Sequence, residues 1–180
     1  MLASFGIEVA PAFAITQDGS CACRNPNCHR PGKHPVIYDD PDTGSADAAT
    51  IRSWWERHPS ANGLAHTGRR SQLFVLDLDG DVGLSSLNHL QERHSALPAT
   101  LTVRSGRGLH FYFRLGPDAP TLQSASDVFG TGLDARGERG WVITPGSYHA
   151  SGRRYELADS TTPAAMPDWL FDIATNFRHR

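Results

Sequence analysis

Residues Phe74 to Asp81 read FVLDLDGD and set three carboxylates, Asp77, Asp79 and Asp81, at the end of an apolar run. Like charges repel, and a buried carboxylate without a partner is costly, so such a cluster requires a counter-charge. Strand side chains alternate between faces. Phe74, Leu76 and Leu78 then share one face, and Val75, Asp77 and Asp79 the other. Asp77 and Asp79 point the same way, about 7 Å apart for a rise of ~3.3 Å per residue. Two carboxylates so placed suit a divalent ion such as Mg²⁺, which binds oxygen and keeps positions for phosphates and water. A polar turn after a strand would use the same residue types.

Two further stretches extend the inventory. In GLHFYF, Leu109, Phe111 and Phe113 make a core face, and His110 and Tyr112 occupy the other. This run follows RSGRG, residues 104–108, whose glycines let backbone N–H groups approach a phosphate and whose arginines add charge. In TGLDARGERG, Asp134 and Arg136 fall on one face if the strand continues. Three carboxylates, a histidine and several arginines on neighbouring strands are the parts needed for metal-assisted phosphoryl or nucleotidyl transfer.

A separate segment, CACRNPNCHRPGKHP, holds all three cysteines. Cys21, Cys23, Cys28 and His34 have a spacing that can close a tetrahedral zinc site, with His29 as the rival fourth ligand. An odd number of thiols argues against a disulfide framework.

The elements that must carry these residues follow from pattern. Residues 1–17 read as a helix interrupted near Pro11. SADAATIRSWWERHP is a helix capped by Ser45 and ended before Pro59. NGLAHTG and SQLFVLDLD are strands, and VGLSSLNHLQERHSAL is an amphipathic helix. ATLTVRS, GLHFYFRL, TGLDAR, GWVITP and RRYEL are short β-runs between Gly-rich turns, and PDWLFDIATNF is a closing helix. Consecutive strands after an α-β-β-α start imply an α+β fold, a mostly antiparallel sheet backed by helices.

At 180 residues, with 39% hydrophobic and 20% charged residues, the chain fits one domain of ordinary soluble composition. No apolar run approaches the ~20 residues that span a bilayer, and the N-terminus has no secretory pattern. A cytoplasmic location is the expectation. The formal net charge of −2 argues against a general nucleic-acid coat. From Arg104 to Arg154, however, seven arginines face four acids, a local basic excess suited to phosphates. Lys33 is the only lysine.

The ordered set VLDLD, SGRGLHFYF and GLDARGERGWVITPGS resembles the primase–polymerase (Prim-Pol) domain of the archaeo-eukaryotic primase superfamily. The flanks NGLAHTG, LPATLTVRSGRGLHFYF and PGSYHASGRRYEL are similar to its plasmid and phage branch, over residues 15–160. The family's three motifs, an acid pair, a strand histidine and a hydrophobic-Asp pair, fall on Asp77 and Asp79, on His110, and on Leu133–Asp134. Gly108 stands where the family often has Ser.

The resemblance implies an RRM-like catalytic sheet over 71–160, an N-terminal αβ unit over 1–70 with a zinc loop at 21–35, and a C-terminal helix in 161–180. It also implies two Mg²⁺ or Mn²⁺ held by Asp77, Asp79 and Asp134. Ser105, Arg107, Gly108, His110 and Arg136 would grip the triphosphate, and the GKHP segment supports one structural Zn²⁺. Substrates would be (d)NTPs, primer and single-stranded DNA template, with a helicase domain or protein as partner and no membrane.

Three rival readings share parts of this inventory. A haloacid-dehalogenase-type phosphatase needs a lysine and an acidic pair downstream of its DxD, but Lys33 and Asp39–Asp40 lie upstream. A non-catalytic module would stack single-stranded bases on Tyr112 and Trp141, where three aspartates have no use. A metal-dependent nuclease would use the same acids.

Overall fold

In the computed structural model, which describes residues 1–36 and 43–177, the alternation in FVLDLD separates two cores. A 3₁₀ helix, Leu2–Phe5, is followed by β1 (Val9–Ala12), α1 (Ala48–Arg57), β2 (Asn62–His66), β3 (Leu73–Asp79) and α2 (Gly80–Arg93). The second half gives β4 (Thr102–Arg104), β5 (Gly108–Arg114), β6 (Leu133–Arg136), β7 (Trp141–Ile143), β8 (Glu156–Asp159), β9 (Ala164–Ala165) and α3 (Asp168–Asn176). The fold is α+β.

The large sheet runs β6-β3-β5-β4-β8 with antiparallel neighbours, and β9 adds to β5 in parallel. On one face Phe74, Leu76, Phe113 and Leu133 pack with Leu87 of α2 and Leu170 of α3. On the other, Val75, Val103 and Tyr112 pack with Leu64 and Val142 of the second sheet, β1-β2-β7. Helices thus cover one face and the small sheet the other. Asp77 and His110 share the second face, beyond the apolar positions of their strands.

The structure differs from the sequence expectation in four places. Ile7 is buried and Val9–Ala12 form a buried strand, where a helix was expected. Pro11 is tolerated because β1 pairs with β2 alone among the named strands, and Pro suits such an edge. Helix α1 is capped by Asp47, whose carboxylate accepts from the Thr50 N–H at 2.7 Å, while Ser45 accepts from the Asp47 N–H. Strand β7, expected in the catalytic sheet, instead pairs with β2 and completes the small sheet. The last β-run shifts from RRYEL to β8, which starts at Glu156. The Asp39–Asp40 pair lies outside the described residues.

Candidate active site and thiol loop

Register brings the sequence-distant groups together. Asp77 on β3 stands opposite His110 on β5 and opposite Asp134 on β6, so Asp134, Asp77 and His110 form a row across three strands. Asp79 pairs with Gly108. Asp81 does not join them: it sits exposed in the first turn of α2.

Arg136 is the counter-charge within the row. Its Nη2 donates to Asp77 Oδ2 and to Asp134 Oδ2, each at 2.8 Å, and its Nε donates to Asp77 Oδ2 at 3.0 Å. His110 Nε2 lies 3.3 Å from Asp77 Oδ1, and the Asp127 N–H donates to Asp134 Oδ1 at 2.9 Å. Burial pushes the Asp77 carboxyl up, but the hydrogen bond and charge of His110, with the Arg136 guanidinium, outweigh it and hold Asp77 well below the usual carboxylate range. For Arg136, burial lowers the pKa and the carboxylates Asp77 and Asp134 more than reverse it. The Asp79 side chain is more open, 41% exposed against 12% for Asp77, and faces Arg107 Nη2 at 3.5 Å.

The RSGRG loop is a closed turn. Ser105 Oγ accepts from the Gly108 N–H at 2.9 Å and the Arg107 N–H at 3.4 Å, so these amides are already bonded within the loop. A Cβ on Gly108 would stand 1.8 Å from the Leu78 carbonyl oxygen, which explains why glycine occupies this position.

Asp77, His110 and Arg136 line a cavity of about 610 Å³, within the usual range for small-ligand sites. Its lining carries four arginines and a lysine against one carboxylate, which favours an anionic ligand. Sequence reasoning missed several of these groups. Arg30 and Lys33 come from the thiol segment, Arg139 from the turn into β7, and His149 and Tyr155 from the hairpin before β8, while Trp141, already named as a stacking candidate, joins them from the start of β7. His110 Nδ1 is buried and has no hydrogen-bond partner among the described residues.

The thiol segment converges tightly. One ligand atom each from Cys21, Cys23, Cys28 and His34 lie within 4.8 Å of one another. His34 Nε2 is 3.3 Å from Cys21 Sγ and 3.4 Å from Cys28 Sγ, close to the ~3.5–4 Å edges that Zn–S and Zn–N bonds of about 2.3 and 2.0 Å give a tetrahedron. Burial lowers the His34 pKa, favouring the neutral imidazole that a metal needs. The group could hold zinc, and His34 rather than His29 completes it; His29 lines the cavity instead.

A family model for the N-terminal domain of bifunctional DNA primase/polymerases (Prim-Pol) matches residues 1–169. The chain belongs to this family. No curated protein matches the chain significantly. Membership implies nucleotidyl transfer of the primase/polymerase kind, with DNA and nucleotides as substrates.

In this Prim-Pol domain the carboxylates fit a divalent ion by donor type, since hard oxygen ligands suit Mg²⁺ and Mn²⁺. Arg136 Nη2, 2.8 Å from both Asp77 and Asp134, marks where a cation is already stabilised. The carboxylates are not drawn together as the thiols are. Tyr112 is fully buried, so it offers no stacking face, and the Trp141 indole N–H is bonded to the Lys33 carbonyl at 3.1 Å. Among the described residues no helix is long and apolar enough to cross a membrane.

Proposed function

We propose that this is the catalytic domain of a cytoplasmic DNA-replication protein, of the plasmid or phage kind. It would transfer a nucleotidyl group from a (d)NTP to a primer 3′-hydroxyl, or to an initiating nucleotide, on a single-stranded DNA template. The observation that carries this reading is the Asp134–Asp77–His110 row, of which Asp77 and His110 line a cavity rich in cationic side chains. Asp77, Asp79 and Asp134 would hold two Mg²⁺ or Mn²⁺. Bound there, the ions would activate the 3′-hydroxyl and neutralise the triphosphate and departing pyrophosphate.

The chain's own groups supply the rest. Arg136 helps keep Asp77 ionised and bridges it to Asp134, and on exchange for metal its guanidinium would be free to take a phosphate. His110, fixed by Asp77, faces the cavity as a triphosphate ligand. Ser105 and Gly108 shape the turn that presents Arg107. Cys21, Cys23, Cys28 and His34 would bind one structural Zn²⁺. A helicase domain or protein is the proposed partner, and residues 1–70, 71–160 and 161–180 are proposed as the units of a single domain.

The test is a primed single-stranded DNA template with dNTPs and Mg²⁺ or Mn²⁺, beside Asp77→Asn. Lengthening of the primer, lost in the variant, is expected. Shortening would indicate a nuclease, and salt-sensitive binding without either change a binding module.

A further inference from the structure

The thiol loop does more than brace the fold. Its Gly32–His34 segment is fixed atom by atom. The Gly32 carbonyl accepts from Asn62 Nδ2 at 3.0 Å, the Lys33 N–H donates to the Arg30 carbonyl at 3.0 Å, and the Lys33 carbonyl accepts from Trp141 Nε1 at 3.1 Å. The His34 imidazole belongs to the Cys₃His group, and its carbonyl accepts from the Phe13 N–H at 3.1 Å. Partners on β2, on β7 and beside β1 thus hold one short turn, and from it the Lys33 side chain lines the cavity of Asp77 and His110.

The cavity's cations divide by their pairing. Arg136 is bound to Asp77 and Asp134, and Arg107 faces Asp79. Arg30 and Arg139 are exposed at the rim. Lys33 is half-buried, and among the described residues no carboxylate lies within ion-pair distance of its ammonium. A compact ammonium with three donors suits phosphate oxygens as a point charge.

We infer that Lys33 is a triphosphate-positioning residue, carried into the catalytic cavity by the thiol loop, so that occupancy of the Cys₃His group governs nucleotide affinity through this side chain. This rests on the nucleotidyl-transfer reading. It gives the loop a role in substrate binding in addition to its structural one.

The experiment uses the full chain with a fluorescent dNTP, Mn²⁺ and primed template, read by anisotropy, together with zinc content. Lys33→Ala should weaken triphosphate binding about tenfold, the loss of one charged hydrogen bond, and Lys33→Arg should recover most of it. Affinity for the matching monophosphate should barely change. In the wild type, pyridoxal 5′-phosphate and borohydride convert accessible amines to secondary amines, and the only amines are Lys33 and the N-terminus. A dNTP should protect Lys33 and leave the N-terminus labelled, and chelation of zinc should abolish that protection.

Wild-type protein that neither binds dNTP nor extends primers would overturn the nucleotidyl-transfer reading itself. Wild-type extension with undiminished binding by Lys33→Ala and no protection of Lys33 would overturn this inference alone. Should Lys33→Ala lose zinc, zinc-replete Lys33→Arg and the wild-type labelling decide.

Discussion

The molecule holds two groups of residues of metal-binding type, and they are built in opposite ways. Cys21, Cys23, Cys28 and His34 come from one loop, and their ligand atoms close to within 4.8 Å of one another. Asp77, Asp79 and Asp134 come from two strands, stay apart, and are held by Arg136, Arg107 and His110. A closed set of soft ligands leaves no position for a substrate. An open set of hard ligands, balanced by cations that can let go, does. The first contrast to test is therefore which group the chemistry needs directly.

The largest effect falls on the carboxylates. Asp77→Asn should reduce nucleotide incorporation by about 10³-fold, the scale on which transition-state charge stabilisation is lost, while circular dichroism stays native. Incorporation at the wild-type rate in the folded variant would remove the carboxylates from the mechanism. Asparagine is the better test than alanine. Asp77 sits between Arg136 and His110, so truncation to alanine removes an attraction and strands buried donors.

The same variant has a pH signature. The folded pKa of Asp77 is depressed, so its contribution to stability is complete above the unfolded value, about 3.9, and is lost as pH falls toward the folded one. Asp77→Asn should flatten the acid limb of the stability curve below about pH 4, checked by urea unfolding at a series of pH values. A limb as steep as the wild type's would place the acid sensitivity elsewhere.

Next comes the thiol loop. Cys28→Ser, or zinc removal by a chelator, should lower the melting temperature and reduce incorporation about 10- to 100-fold, the range for disturbed metal-site support. Atomic emission should find about one zinc per wild-type chain. A metal-free wild-type protein with full activity would make the loop an ordinary set of thiols.

These two groups were unequally legible in sequence. The thiol loop could be read from spacing, because its ligands are local. The alternation of FVLDLD and GLHFYF also placed Asp77 and His110 on one face. The cross-strand match of Asp77 with Asp134 could not be read, because register depends on which strands neighbour one another. Lys33 was legible as a residue type but not as a cavity residue, since its position depends on Asn62 and Trp141, far along the chain. Strand β7 was assigned to the wrong sheet for the same reason. The N-terminus was misread because a continuous buried strand and a buried helix show the same apolar run.

Beside the carboxylates lies the turn that presents Arg107. Gly108→Ala would drive a methyl group into the Leu78 carbonyl, 1.8 Å away before relaxation, on the strand that carries Asp77 and Asp79. A cost of about 1–3 kcal/mol is expected from overpacking, with weaker dNTP binding than the lost stability alone would give. Equal stability by chemical unfolding would show that β3 and β5 can part without penalty.

The smallest effect tests the other use of this sheet. Tyr112 lies two residues beyond His110 on the same face, where a stacking platform would need it exposed. It is instead fully buried against Val75 and Val103, and its hydroxyl has no partner among the described residues. Burial raises its pKa, with the negative charge of Asp77 adding to the effect, so the hydroxyl stays protonated. Tyr112→Phe removes an unsatisfied group and leaves the ring. It should therefore be neutral or stabilising by up to about 1 kcal/mol, with unchanged DNA affinity and incorporation. Weakened DNA binding in a stable Tyr112→Phe protein would mean that the hydroxyl, buried here, opens to the nucleic acid in solution.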